Sequence, residues 1–117
     1  MHRAVYALVL WCLWGMTAYA GPISATYTCE RSVKIPTVFA QDKDAGSIVV
    51  MILEGALIQL AITPAASGAR YADTTDQSGY VWWTKAEAAT LSWFDAQTGQ
   101  ETFVYRQCRK SDDEVPG

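Results

Sequence analysis

Few side chains in this sequence have the type and spacing needed to act on a substrate. The one histidine, His2, lies in an apolar N-terminal segment, so the remainder has no imidazole to act as base in a Ser-His-Asp arrangement or to ligate zinc. None of the glycines forms a phosphate-cradling loop or a dinucleotide fingerprint. Asp73 and Asp76 stand three residues apart in a polar stretch, as a glycosidase pair could, yet neighbouring loop carboxylates are ordinarily solvated. Asp42 and Asp44 resemble the start of a calcium loop, but Gly46 arrives one position early and the later ligands are missing. A hairpin turn explains them better. The sequence therefore points to recognition without catalysis, and to no cofactor or metal.

Two neighbouring segments offer groups for recognition. Residues 66–71 read Ala-Ser-Gly-Ala-Arg-Tyr, and residues 80–88 read Tyr-Val-Trp-Trp-Thr-Lys-Ala-Glu-Ala. The first sets the hydroxyl of Ser67 beside Gly68, which lacks a Cβ and so permits a tight turn. The second ends an aromatic run on the ammonium of Lys85. Beyond residue 20 the chain has eight basic residues against twelve acidic ones, a formal charge near −4. That balance makes nucleic acid a poor partner and favours encounter with a basic protein.

The elements that must hold these segments are short. Residues 1–20 read as a secretory signal peptide: Arg3, an apolar run over 4–14, and Ala18-Tyr19-Ala20 as the cleavage pattern. The run is well short of the roughly 20 residues that span a bilayer, so no membrane span is expected. Trp11 before Cys12 makes that cysteine a poor lipid acceptor. Residues 21–108 then form one domain, and 109–117 a flexible, charged C-terminal tail. Export exposes Cys29 and Cys108 to an oxidising compartment, and they are expected to pair. Closing a loop of about 80 residues would stabilise the fold by roughly 4 kcal/mol on the chain-entropy model.

Apolar residues occur in short runs between Gly, Pro, Asp and Ser, the spacing of strands and not of helices. Strands are expected over 26–35, 37–40 after an interruption at Pro36, 47–53, 56–63, a short stretch before Tyr71, 80–84, 88–94 and 101–108. Ile58, Leu60 and Ile62 repeat at the two-residue period of one face, and Leu91 with Trp93 alternates with Thr90 and Ser92. The expected fold is all-β, a small antiparallel β-barrel of about eight strands closed by one disulfide. Trp82, Trp83, Trp93, Phe94, Phe103 and Tyr105 are its expected core.

Ser-Gly-x-x-Tyr at Ser67, Gly68 and Tyr71, followed by Trp-Thr-Lys at Trp83, Thr84 and Lys85 with Ala88 beyond, resembles the two motifs of the periplasmic and membrane-bound inhibitors of c-type lysozyme. Tyr27-x-Cys29 and the late Cys108 extend the likeness over most of the exported part. One position departs: the family's glycine after the motif lysine is Ala86, which matters if the turn needs a positive φ. The resemblance implies a periplasmic inhibitor whose partner is a c-type lysozyme, with Ser67, Gly68, Arg70, Tyr71 and Lys85 as its binding element. Ser67 and Lys85 would meet the enzyme's catalytic carboxylates, Arg70 would touch the rim, and Tyr71 and Trp83 would pack behind the loops. Homodimers occur among the proteins it resembles. Two other readings are a periplasmic β-barrel holding a small apolar ligand, and an assembly or adhesion module presenting an open sheet edge.

Overall fold

The computed structural model describes residues 21–73 and 76–111; the expected signal peptide at 1–20 and residues 112–117 of the expected tail lie outside them. Eight strands follow one another around a closed antiparallel barrel: β1 (Ile23–Thr28), β2 (Lys34–Asp42), β3 (Gly46–Leu53), β4 (Ala56–Thr63), β5 (Ala69–Ala72), β6 (Gly79–Lys85), β7 (Ala88–Asp95) and β8 (Gln100–Lys110). The disulfide forms between Cys29 and Cys108, both buried. Fold class and pairing thus match the sequence-based expectation. No described helix is long and apolar enough to cross a membrane.

Alternation along the strands builds the interior. Val49, Met51 and Leu53 of β3 point inward with Leu60, Trp82 and Leu91, around Tyr27 and Ile35. Trp82 is fully buried, and its ring meets Tyr27 edge to face with centroids 5.0 Å apart, a geometry that aligns ring edge and face electrostatically. Burial raises the Tyr27 hydroxyl pKa, and the charge of Glu87 adds to the shift.

Four expectations require correction. Residues 26–35 are two strands, because residues 29–33 reverse the chain through positive φ at Arg31 and Ser32. Pro36 does not interrupt a strand: it lies inside β2, opposite Thr26, and the β2–β3 register begins one residue later at Thr37 and Met51. The carbonyl of Thr26 accepts instead from Ser111, so no ladder bond asks for the N–H that proline lacks. Strand β8 runs two residues beyond the expected boundary at Cys108, because Lys110 N–H donates to the Glu87 carbonyl and Ser111 N–H to Thr26.

The fourth correction concerns the aromatic residues. Trp82 and Tyr105 are core, but Trp93 is 40% exposed and Phe103 50%. Register explains both. Trp93 lies opposite Tyr80 at the barrel mouth, its ring edge-on at 5.0 Å. Phe103 pairs with Ser92, and Ser92 with Val81, on the outer face. Trp83 and Phe94 are half-buried. Ile62, expected to share the inner face with Ile58 and Leu60, is 37% exposed near the end of β4.

Closure between β1 and β8 rests on two ladder pairs, Tyr27 with Lys110 and Thr28 with Arg109. Other contacts add to it. The β7–β8 register shifts between Ala89 and Leu91 and again before Ser92, each time leaving an extra residue in β8. At the first bulge the Glu30 carboxylate accepts from the N–H groups of Arg106 at 3.0 Å and Gln107 at 2.7 Å. Those two bonds lower the Glu30 pKa below its ordinary value of 4.5. Arg31 lies over the Tyr105 ring, 5.6 Å from its centroid.

A depressed carboxylate pKa contributes stability that is present above the unfolded value and is lost as pH falls through the folded one. Thermal melts of the wild-type protein should therefore drop as pH falls below the ordinary glutamate range. In Glu30→Gln the melting temperature should be lower at neutral pH, and its acid-side slope shallower. An unchanged slope would remove Glu30 as a pH-dependent clamp.

Candidate functional site

In an up-and-down barrel successive connections alternate between the two ends, so the loop at 64–68 and the turn at 86–87 share one end. Strand β6 reaches it with Tyr80, Trp82 and Thr84 on one face and Val81, Trp83 and Lys85 on the other, each row continued across β7 by Trp93, Leu91 and Ala89 or by Ser92, Thr90 and Ala88. This alternation leaves Lys85 exposed at the strand end.

Trp83 ties residues 66–71 to residues 80–88. Its indole N–H donates to the Ser67 carbonyl at 2.9 Å, and the Lys85 ammonium lies 5.0 Å from its ring centroid. One aromatic side chain thus holds the Ser67 backbone and seats the cation. The hydroxyl-bearing side of Ser67 remains on an exposed residue.

Gly68 is fixed by space and by backbone together. Its φ is +68°, and a Cβ there would come within 2.3 Å of the Thr84 carbonyl oxygen and 2.7 Å of Lys85 Cγ. The close approach that glycine permits is therefore to the chain's own strand β6, which brings the Ser67 loop against Lys85.

Ala86 has φ +51°, and Glu87 follows it in a two-residue connection between the paired Lys85 and Ala88. Glycine is favoured at the first central position of such a turn when φ is positive. The expected strain at this departure is therefore present, and the Glu87 carbonyl is held from outside by Lys110 N–H at 2.8 Å.

The other two expected site residues, Tyr71 and Arg70, lie along β5 beside the loop. Tyr71 is only 7% exposed, its ring 5.8 Å from that of Phe39, and burial raises its hydroxyl pKa. It packs behind the loop from inside the barrel, as expected. Arg70 donates to Thr63 Oγ1 at 3.1 Å and forms an ion pair with Glu101. That pair reaches from β5 to β8 over the outer face of the intervening strands. As a half-exposed ion pair it contributes at most about 1 kcal/mol, so it orients Arg70 more than it stabilises the fold.

The carboxylates weighed as catalytic or calcium-binding are spoken for locally or set apart. Asp42 accepts from Ala45 N–H at 2.9 Å and Asp44 N–H at 3.0 Å, which lowers its pKa and closes the β2–β3 hairpin turn. Asp73 packs against Gly79. No cluster of three or more metal-ligating side chains exists among the described residues.

Sequence reasoning missed a groove on the outer face of β6, β7 and β8, about 710 Å³ in volume, with Trp83 and Phe103 on its sides and Ala88, Thr90 and Ser92 in its floor. Its signal in the sequence is the small-residue alternation Ala88, Thr90, Ser92 between two aromatic-bearing strands.

Residues 27–100 match the family described as membrane-bound lysozyme inhibitor of c-type lysozyme. A curated relative, the membrane-bound lysozyme inhibitor of C-type lysozyme of Pseudomonas aeruginosa, is 34% identical over 68 residues, 58% of this chain and half the length of the relative. Among solved structures, Pseudomonas aeruginosa MliC in complex with hen egg white lysozyme shares 25% identity at a TM-score of 0.55, covering 82% of this chain and 94% of that one. The periplasmic lysozyme inhibitor PliC of Salmonella typhimurium superposes with a TM-score of 0.61 at 17% identity, over 78% of this chain and 99% of that one. The Adhesin Complex Protein of Neisseria meningitidis has the same fold at 10% identity and a TM-score of 0.51, over 76% and 99%.

Relief of the positive φ at residue 86 gives a direct check of the loop geometry. Ala86→Gly should stabilise the protein by about 1 kcal/mol, raising the melting temperature by roughly 4–8 °C for a domain of this size. Gly68→Ala should lower it and perturb Trp83 fluorescence, since the new methyl group would displace the Thr84 carbonyl.

Proposed function

The chain belongs to the family of membrane-bound lysozyme inhibitors of c-type lysozyme, and on that premise we propose that it is itself a proteinaceous inhibitor of a c-type lysozyme, acting by occupying the enzyme's active-site cleft. The observation that carries this reading is the Trp83 junction. It sets an exposed serine and an exposed lysine side by side at one end of a disulfide-closed barrel. Groups held on rigid elements lose little freedom on binding.

The chemistry derives from what such an enzyme needs. One carboxyl must be protonated as general acid while the other stays ionised as nucleophile or electrostatic stabiliser. An ammonium brought against the acid favours its ionised form and lowers its pKa, removing the proton that the leaving group requires. Lys85 supplies that ammonium. The Ser67 hydroxyl donates a hydrogen bond to the second carboxylate, and the bodies of both loops block the sugar site. The net negative charge of the chain assists approach to a basic enzyme.

This role places the protein in the periplasm, exported by residues 1–20 and without a lipid anchor at Cys12. The interior supports inhibition over the storage of an apolar ligand inside the barrel, because Trp82, Met51, Leu91 and Ile35 fill it. The closed strand order likewise disfavours a module that works through an open sheet edge.

A homodimer belongs to the same proposal. Val38, Ile52 and Leu57 are 37%, 48% and 73% exposed on the outside of β2, β3 and β4, an apolar surface of the kind that marks association. Light scattering on the purified protein should give twice the monomer mass, and Leu57→Asp should return it towards the monomer. Monomer mass at all concentrations would refute the dimer and leave inhibition intact.

Ser67→Ala should weaken inhibition by about 1 kcal/mol and Lys85→Ala by about 2 kcal/mol or more, the range for truncating a buried interfacial hydrogen bond and charge. Both side chains are exposed in the free protein, so melting temperatures should barely move. Full inhibition by the double variant, measured on initial lysis rates, would refute the two-residue mechanism.

A further inference from the structure

The groove over β7 has a graded chemistry that the inhibitory loops do not use. Register sets its rows. Lys85, Ala88 and Arg109 lie side by side across three strands, and Trp83 with Thr90 forms the next row. Val81, Ser92 and Phe103 form the third, and beyond it the Arg70–Glu101 ion pair crosses the same face. One end is therefore cationic, the middle apolar, and the far end is occupied by an internal ion pair.

The β8 bulges lie beside this groove. Thr90 has no direct partner in the β8 register, and it lines the groove between Trp83 on one side and Phe103 on the other. Arg106, released from regular pairing, lies over the Phe103 ring, 4.9 Å from its centroid, as Lys85 lies over Trp83 at 5.0 Å. Both aromatic walls are thus edged by a cation. This concentration of positive charge stands on a chain whose net charge is −3, so the groove differs in sign from the molecule as a whole.

We propose that this groove is a binding site for an amphiphile with an anionic head and an unbranched apolar tail, of the fatty-acid class. The head sits at Lys85 and Arg109, where charge-assisted hydrogen bonds favour a carboxylate. The tail lies along Thr90 and Ser92 between Trp83 and Phe103. The run from Ala88 to Ser92 covers roughly 13 Å at the strand rise, the span of a medium-length acyl chain. Exposed apolar surface on a monomer of this kind ordinarily marks a binding site, and the charge at one end selects the sign of the ligand. The site is independent of the inhibitor reading except that Lys85 edges both.

The test is calorimetric titration of the purified protein with dodecanoate below its micellar threshold, alongside dodecyltrimethylammonium and dodecanol. Dodecanoate should bind once per chain with saturation, at least tenfold more tightly than the cationic or neutral probe. Arg109→Gln changes an exposed residue outside the inhibitory loops and should weaken dodecanoate about tenfold while leaving dodecanol unaffected. Thr90→Trp, which fills the floor, should abolish binding of every probe; its melt reports whether it has folded, and Arg109→Gln decides the matter if it has not. Absence of saturable dodecanoate binding, equal affinity for the two charged probes, or indifference to Arg109→Gln would each overturn the proposal. Lysozyme inhibition by Arg109→Gln, measured in parallel, separates failure of this site from failure of the inhibitor reading.

Discussion

The structure depends on closure of the sheet between its first and last strands. Strands β1 and β8 share only two residue pairs, far fewer than the six that join β1 to β2, and a seam so short would leave two sheet edges prone to fray. Three kinds of contact reinforce it. The Cys29–Cys108 disulfide crosses the seam, the Glu30 carboxylate takes two N–H groups that the β8 bulge releases, and the backbone of Ser111 bonds to Thr26. These contacts differ in kind: one is covalent, one is electrostatic and weakened by acid, one is an ordinary backbone bond. Together they fix β8, and β8 in turn holds the 86–87 turn at one end of the barrel and supplies one side of the groove on its outer face.

Through β8 the seam reaches the end of the barrel that carries Ser67 and Lys85. Lys110, two residues after the disulfide, bonds to the Glu87 carbonyl, which belongs to the turn after Lys85. That turn carries a strained alanine at residue 86, and its geometry is set from outside as well as by its own residues. The Ser67 loop is held from the opposite side, by the Trp83 indole and by the contact of Gly68 with the Thr84 carbonyl. The turn after Lys85 is thus held by β8 and the Ser67 loop by β6. The same β8 irregularities lie beside the outer groove.

Much of this was legible in the sequence because it rests on local rules. Alternation of apolar residues marked β4 and β7, and Trp82 is expected in the core among the aromatic residues. Glu54-Gly55 marked a hairpin whose two turn residues indeed have positive φ. The two cysteines beyond residue 20 gave the disulfide, and the motifs at Ser67 and Lys85 gave the family. What failed depends on partners distant in sequence. Pro36 looks like a breaker until Ser111 is seen to take the carbonyl of Thr26. Trp93 and Phe103 read as core by composition, but only pairing to Tyr80 and Ser92 shows that one lies at the mouth and the other outside. The role of Glu30 could not be seen at all without the bulge it caps.

Inhibition by the Trp83-braced loops is best tested on the lysis of peptidoglycan-exposed cells. Cells are treated with a c-type lysozyme or, in parallel, a g-type lysozyme, with and without a micromolar excess of the purified, oxidised protein. Lysis by the c-type enzyme should slow in proportion to added protein while lysis by the g-type enzyme is unaffected. Undiminished lysis by the c-type enzyme in the presence of folded protein would contradict inhibition by these loops.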